Sequence, residues 1–257
     1  MVPVTGPDES PPERRRAIKI EIAVVLAVTF GLSAYTALLR LVESILLGLS
    51  GQTVALNPRR SPFDLIDLGL HLAGILQLLA WGALALYLLW RSGFGPRSIG
   101  LARPQWRGDG LGGLGLAALI GLPGLVFYVL ARILGLSAEV EPAELYDTWW
   151  RIPSLLGAAF ANGWAEEIVV VAFLITRLRE LDVSPGRALV ISSVLRGAYH
   201  LYQGYSAGLG NIVMGLVFGH VWQRTGRLWP LIVAHALIDA VAFVGYALLA
   251  DQLTWLH

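Results

Sequence analysis

Residues 155–178 read LLGAAFANGWAEEIVVVAFLITRL, a stretch long enough to cross a bilayer, with two adjacent acids, Glu166 and Glu167, at its centre. About 20 apolar residues span the roughly 30 Å hydrocarbon core as a helix. A soluble protein would expose such a pair, whereas here apolar turns flank it on both sides. The rest of the chain has the same character. Of 257 residues, 56% are hydrophobic and 14% charged, and mean hydropathy is +0.64. Soluble domains carry nearer a quarter charged residues. The fold class expected is therefore all-α, a polytopic transmembrane helical bundle of about seven helices, with six to eight as the range. Hydrophobic segments fall at about 18–48, 65–91, 110–134, 153–177, 187–204, 208–224 and 229–250.

Residues 1–16, MVPVTGPDESPPERRR, read as a disordered cytoplasmic tail, and 17–257 as a single transmembrane domain. The next stretch is too long for a signal peptide and lacks a clear cleavage site, so it reads as a retained helix. Basic loops resist translocation. With the N-terminus cytoplasmic, thirteen arginines and lysines (Arg14, Arg15, Arg16, Lys19, Arg91, Arg97, Arg103, Arg107, Arg177, Arg179, Arg187, Arg224 and Arg227) fall inside. Only Arg59, Arg60, Arg132 and Arg151 fall outside, together with the acidic loop 138–147. The alternation supports that orientation. A net charge of +1 with separated signs gives no basic face for nucleic acid. Without cysteine the chain has no disulfide, no catalytic thiolate and no cysteine metal site.

An ionised side chain at mid-bilayer costs from about 3 kcal/mol upward, so each such residue needs a cavity or a partner. Besides Glu166 and Glu167, the fifth segment carries Arg196 and His200 and the seventh carries His235 and Asp239. Each of these two pairs is spaced four apart and shares a helix face. At 1.5 Å per residue, Glu166, His200 and Asp239 reach similar depths of roughly 15–20 Å, with His235 nearer 10 Å, so the six side chains can converge. Two neighbouring carboxylates in low dielectric cannot both ionise cheaply unless a cation is close. A glutamate that takes a proton from water, with histidines to hold the nucleophile or the oxyanion, is a peptide-hydrolysis constellation. Glu166, His200 and His235 are equally a donor set for zinc. His71 and His220 read as structural hydrogen-bonding residues, Arg40 with Glu43 as an interfacial ion pair, Asp64 and Asp67 as caps, and Gly215 with Gly219 as a packing step.

The Glu166-Glu167 pair with its apolar run, the histidine helix, and RTGRLWPLIVAHALID at 224–239 resemble the CPBP family of intramembrane proteases. That family includes the type 2 CAAX prenyl proteases and proteins linked to bacteriocin immunity, and the resemblance covers about residues 100–245. It implies that Glu166 activates water, that Glu167 supports it, and that His200, His235 and Asp239 position the water and stabilise the oxyanion. A metal-free glutamate mechanism is favoured over a zinc one. The motif departs from the family at two places: Val171 stands where the arginine of EExxxR is expected, and Arg196 where the phenylalanine of FxxxH is expected. Arg196 is therefore read as the counter-ion of the glutamate pair.

The expected function is an intramembrane endopeptidase of a bacterial cytoplasmic membrane, acting on a hydrophobic peptide or membrane-protein substrate in contact with the lipid bilayer. The alternative is an inactive member that acts as an immunity or partner-binding protein. A transporter is disfavoured, because the sequence lacks inverted repeats and interrupted helices.

Overall fold

The computed structural model describes residues 11–141, 143, 148–245 and 248. Helices dominate: α1 (Pro11–Val28), α2 (Phe30–Leu47), α3 (Asp64–Arg91), α4 (Trp106–Ile133) and α5 (Arg151–Glu166) come first. A π-helical segment, Glu167–Phe173, continues α5 into α6 (Leu174–Glu180). Then follow α7 (Pro185–His200), α8 (Tyr205–Thr225) and α9 (Trp229–Ala240), the last running into a π turn at Val241–Gly245. The fold is thus the all-α bundle expected from composition. Two three-residue strands, β1 (Thr53–Ala55) and β2 (Glu139–Glu141), pair in parallel at one end. β2 lies in the stretch read as an acidic loop, of which residues 142 and 144–147 fall outside the described residues.

Two boundaries differ from the sequence reading. The first helix starts at Pro11, within the stretch assigned to a tail, of which residues 1–10 lie outside the described residues. The segment 18–48 is divided at Thr29, whose backbone leaves helical geometry and whose Oγ1 donates to the Val25 carbonyl at 2.7 Å. Gly31 permits the break, since a Cβ there would stand 2.6 Å from the Leu26 carbonyl oxygen. Other ends follow local rules. Ser184 caps α7 by accepting from the Arg187 amide, with Pro185 opening the first turn.

Among the described residues, four helical stretches are long and apolar enough to cross a membrane: Phe30–Leu47, Asp64–Arg91, Trp106–Ile133 and Arg151–Glu180. They are not equivalent. The last has 78% of its apolar window buried, against 17%, 17% and 6% for the others in order. Arg151–Glu180 is therefore the central column, and α4 is at the periphery with side chains such as Leu111, Leu122 and Ile133 exposed. An apolar exterior of this kind is stable in lipid, and with the helix lengths it makes this an integral membrane protein.

Close packing positions the column's neighbours. α9 approaches α5 at Gly163, where a Cβ would sit 3.0 Å from the Ile232 carbonyl and 3.2 Å from the His235 Cβ. α8 approaches α7 at Gly215, where a Cβ would lie 2.9 Å from the Ser193 Cα. Gly215 is thus a packing glycine, as its GxxxG spacing indicates.

Candidate active site

The acids sit where α5 passes into the π segment. Ile168 to Val171 form a run of four β-branched residues, which lose side-chain freedom in α geometry. The wider turn leaves the Val170 carbonyl to accept from Ser192 Oγ of α7 at 2.6 Å. π segments are rare and concentrate at functional sites. This one carries Glu167 as its first residue and buries all seven of its side chains.

The two glutamates have different surroundings. Glu167, fully buried, accepts two hydrogen bonds on one oxygen, from Arg196 Nη2 at 2.6 Å and from His235 Nδ1 at 2.7 Å. Arg196, also fully buried, therefore stands on α7 as an ion-pair partner of the glutamate pair, with its guanidinium 5.8 Å from the Phe218 ring centre. Val171, where the resembled motif has its arginine, packs in the apolar core. Glu166 accepts from the Tyr199 hydroxyl on Oε2 at 2.6 Å, and among the described residues its Oε1 takes no hydrogen bond. Glu167 Oε2 and Arg196 Nε and Nη1 are buried without a partner among the described residues.

Because Glu167 takes the Nδ1 hydrogen of His235, that imidazole turns its Nε2 toward the gap between Glu166 and Asp239. Nε2 is 3.9 Å from Glu166 Oε2 and 3.8 Å from Asp239 Oδ2. Asp239 is held in turn by Asn162, whose Nδ2 donates to Oδ2 at 2.9 Å. His200, the last residue of α7, donates from Nδ1 to the Arg196 carbonyl at 3.0 Å, which leaves Nε2 as the free ring nitrogen of the neutral form. All six residues singled out from the sequence thus lie on the three elements around one polar centre.

Tyr199 and Asn162 were not among them. Tyr199 adjoins His200, and Asn162 lies one turn before Glu166, so i, i+4 spacing on an otherwise apolar helix was the available signal for Asn162.

The donor set named for zinc was Glu166, His200 and His235. Among the described residues no three His, Cys, Asp or Glu side chains are grouped so as to hold a metal ion. A fully buried guanidinium also lies in the same cluster and already neutralises a carboxylate. As placed, these side chains are engaged with one another and with Arg196 rather than set around a metal ion.

A second polar cluster lies near the start of α5. Arg151 donates from Nη1 to His71 Nε2 at 2.8 Å and from Nη2 to the Asn57 carbonyl at 2.5 Å. Asp67 Oδ1 accepts from the amides of Arg60 and Ser61 at 2.6 and 3.1 Å, and Asp64 pairs with Arg59. These contacts fix the loop before α3, in keeping with a structural role for His71; the two aspartates brace that loop and do not cap α3, whose N-cap residue is Phe63 with no side-chain bond. Arg40 and Glu43 form their exposed ion pair at 2.8 Å, and His220 is exposed.

Residues 148–241 match a family model described as type II CAAX prenyl endopeptidase, Rce1-like. No curated protein and no solved structure matches the chain. The matched stretch runs from just before α5 into the π turn after α9 and contains every residue of the polar centre. It supports, at the level of the family, an intramembrane protease of CAAX type. The helices that build this centre are thus similar to the type II CAAX prenyl endopeptidase family.

Proposed function

We propose that this chain is an intramembrane endopeptidase in which Glu166 is the general base for water and Glu167 is not. The observation that carries the assignment is the unequal surroundings of the pair. Glu167 is wholly buried, with one oxygen held by both Arg196 and His235 and the other sealed from solvent, whereas Glu166 retains 6% exposure and, among the described residues, an Oε1 that takes no hydrogen bond. A base must reach its proton within hydrogen-bond distance, which favours the carboxylate that keeps some exposure over the one that is sealed in and ion-paired.

In this reading a water between Glu166 and His235 gives a proton to Glu166 as its oxygen attacks the scissile carbonyl. Negative charge then develops on the carbonyl oxygen; His235, as the imidazolium between Glu167, Glu166 and Asp239, donates its Nε2–H to that oxygen, while neutral His200 accepts from the attacking water through Nε2. When the C–N bond breaks, Glu166 returns the proton to the leaving amine. Glu167 keeps the His235 ring in one orientation, and Asp239, steadied by Asn162, faces the same Nε2. Arg196 supplies the positive charge that allows two adjacent carboxylates in the bundle. The substrate class is a peptide or membrane-protein segment that reaches the site from the bilayer.

The test is release of peptide in membranes by the wild type and by Glu166→Ala and Glu167→Ala. Loss of a catalytic base lowers kcat by about 100-fold or more. Equal activity of Glu166→Ala and wild type would overturn the assignment. No cleavage by the wild type over varied hydrophobic peptides would favour the partner-binding alternative. Undiminished cleavage after chelator treatment is expected, and its loss would reopen the zinc reading.

A further inference from the structure

We infer that Tyr199 is a positioning residue for Glu166, braced from outside the family-matched segment by Phe30. The inference rests on the reading of Glu166 as the base. Tyr199 is buried, and its hydroxyl makes a 2.6 Å hydrogen bond to Glu166 Oε2. That bond holds the carboxylate 3.9 Å from His235 Nε2, too far for direct hydrogen bonding and wide enough for a bridging water. Without it, Glu166 would be free to swing onto His235 and close the gap.

The tyrosine ring is itself held on two sides. His200 lies 4.7 Å from it between centroids, at 40° between planes. Phe30 lies 4.8 Å away at 33°, and packs edge-on against Trp81 of α3 at 5.4 Å. Phe30 is the first residue after the Thr29 break, so the break aims it inward. Helices α2 and α3 lie outside residues 148–241, yet through Phe30 and Trp81 they support the hydroxyl that fixes the base.

Tyr199→Phe keeps the ring contacts and removes only the donor. A misplaced reacting group costs up to roughly 100-fold in rate. The expected result is a kcat lower by about 10- to 100-fold at unchanged KM, with a melting temperature in detergent that falls only slightly, since one buried hydrogen bond is lost. Phe30→Ala is expected to lower kcat less, and the double variant to be no slower than Tyr199→Phe alone, because both act through one hydrogen bond.

An arm independent of activity uses a hydrophobic carbodiimide, with labelling of Glu166 followed by mass spectrometry. A carboxylate that has lost its donor takes the label faster in Tyr199→Phe than in wild type. Unchanged kcat together with unchanged labelling would overturn the inference. If Glu166→Ala cleaves as well as wild type, the hydrolysis reading fails, and labelling alone decides the role of Tyr199: faster supports it, unchanged overturns it.

Discussion

At the scale of single residues, the centre is governed by the cost of putting two carboxylates side by side in a low-dielectric bundle. One is neutralised by Arg196 across 2.6 Å, with both partners fully buried. Removing one member of a buried ion pair costs about 3–5 kcal/mol, while replacing both with apolar groups can be nearly neutral. Arg196→Leu is therefore expected to lower stability in detergent by that amount and to abolish cleavage. Arg196→Leu combined with Glu167→Leu is expected to regain most of the stability and none of the activity, measured by thermal unfolding and peptide release. The need for a cation was legible in the sequence, because adjacent acids in an apolar helix require one and Arg196 shares a helix face with His200. Neutral partners such as Tyr199 and Asn162 give no such signal. Buried loop arginines mislead in the opposite way. Arg151 and Arg177 look like topology-setting charges, yet Arg151 is wholly buried and Arg177 is 1% exposed, held by Glu21, Glu180, Ser92 and the Leu88 carbonyl. Counting arginines by loop cannot tell a solvated charge from one that pins helices together.

At the scale of elements, the site depends on how near α9 can come to the central column. Gly163 lies one turn before Glu167 and faces His235, so the spacing of these helices sets the 2.7 Å bond between them. Gly163→Leu must push α9 outward, and overpacking of this kind typically costs about 1–3 kcal/mol. The expected outcome is a lower melting temperature and loss of cleavage, with Gly163→Ala intermediate because its Cβ needs a shift of only a few tenths of an ångström. A leucine variant with wild-type kcat would show that the Glu167–His235 contact is dispensable. Segment positions were legible from hydropathy, since 65–91 and 110–134 correspond to Asp64–Arg91 and Trp106–Ile133. The π segment and the Thr29 break were not. Hydropathy counts apolar residues without sensing how the backbone winds, and IVVVA scores the same in either geometry.

At the scale of the whole molecule, side-chain contacts divide the bundle into two ends. Glu180 and Asp182 after α6 hold Arg14 and Arg15 of α1, Arg177 reaches the end of α3, and Arg227 after α8 grips Asp109 at the start of α4. At the other end Arg132 binds Glu139 and the Ser50 carbonyl, and Arg151 binds the Asn57 carbonyl. Arg14, Arg15, Arg177 and Arg227 of the thirteen-member set fall at the first end, and Arg132 and Arg151 of the four-member set at the second, so for these residues grouping by loop and grouping by contact coincide. The crowded basic end is expected to face the cytoplasm, because positively charged loops are retained there. The cysteine-free chain allows a test without background labelling. Ser98→Cys reports the basic end and Ser50→Cys the other, both at exposed positions. With a membrane-impermeant maleimide on intact cells, Ser50→Cys is expected to react at once and Ser98→Cys only after permeabilisation. The reverse pattern would invert the orientation and keep the two-ended grouping. Reaction of both in intact cells would break the grouping itself, and with it the argument that Glu166 lies mid-membrane between two ends of opposite exposure.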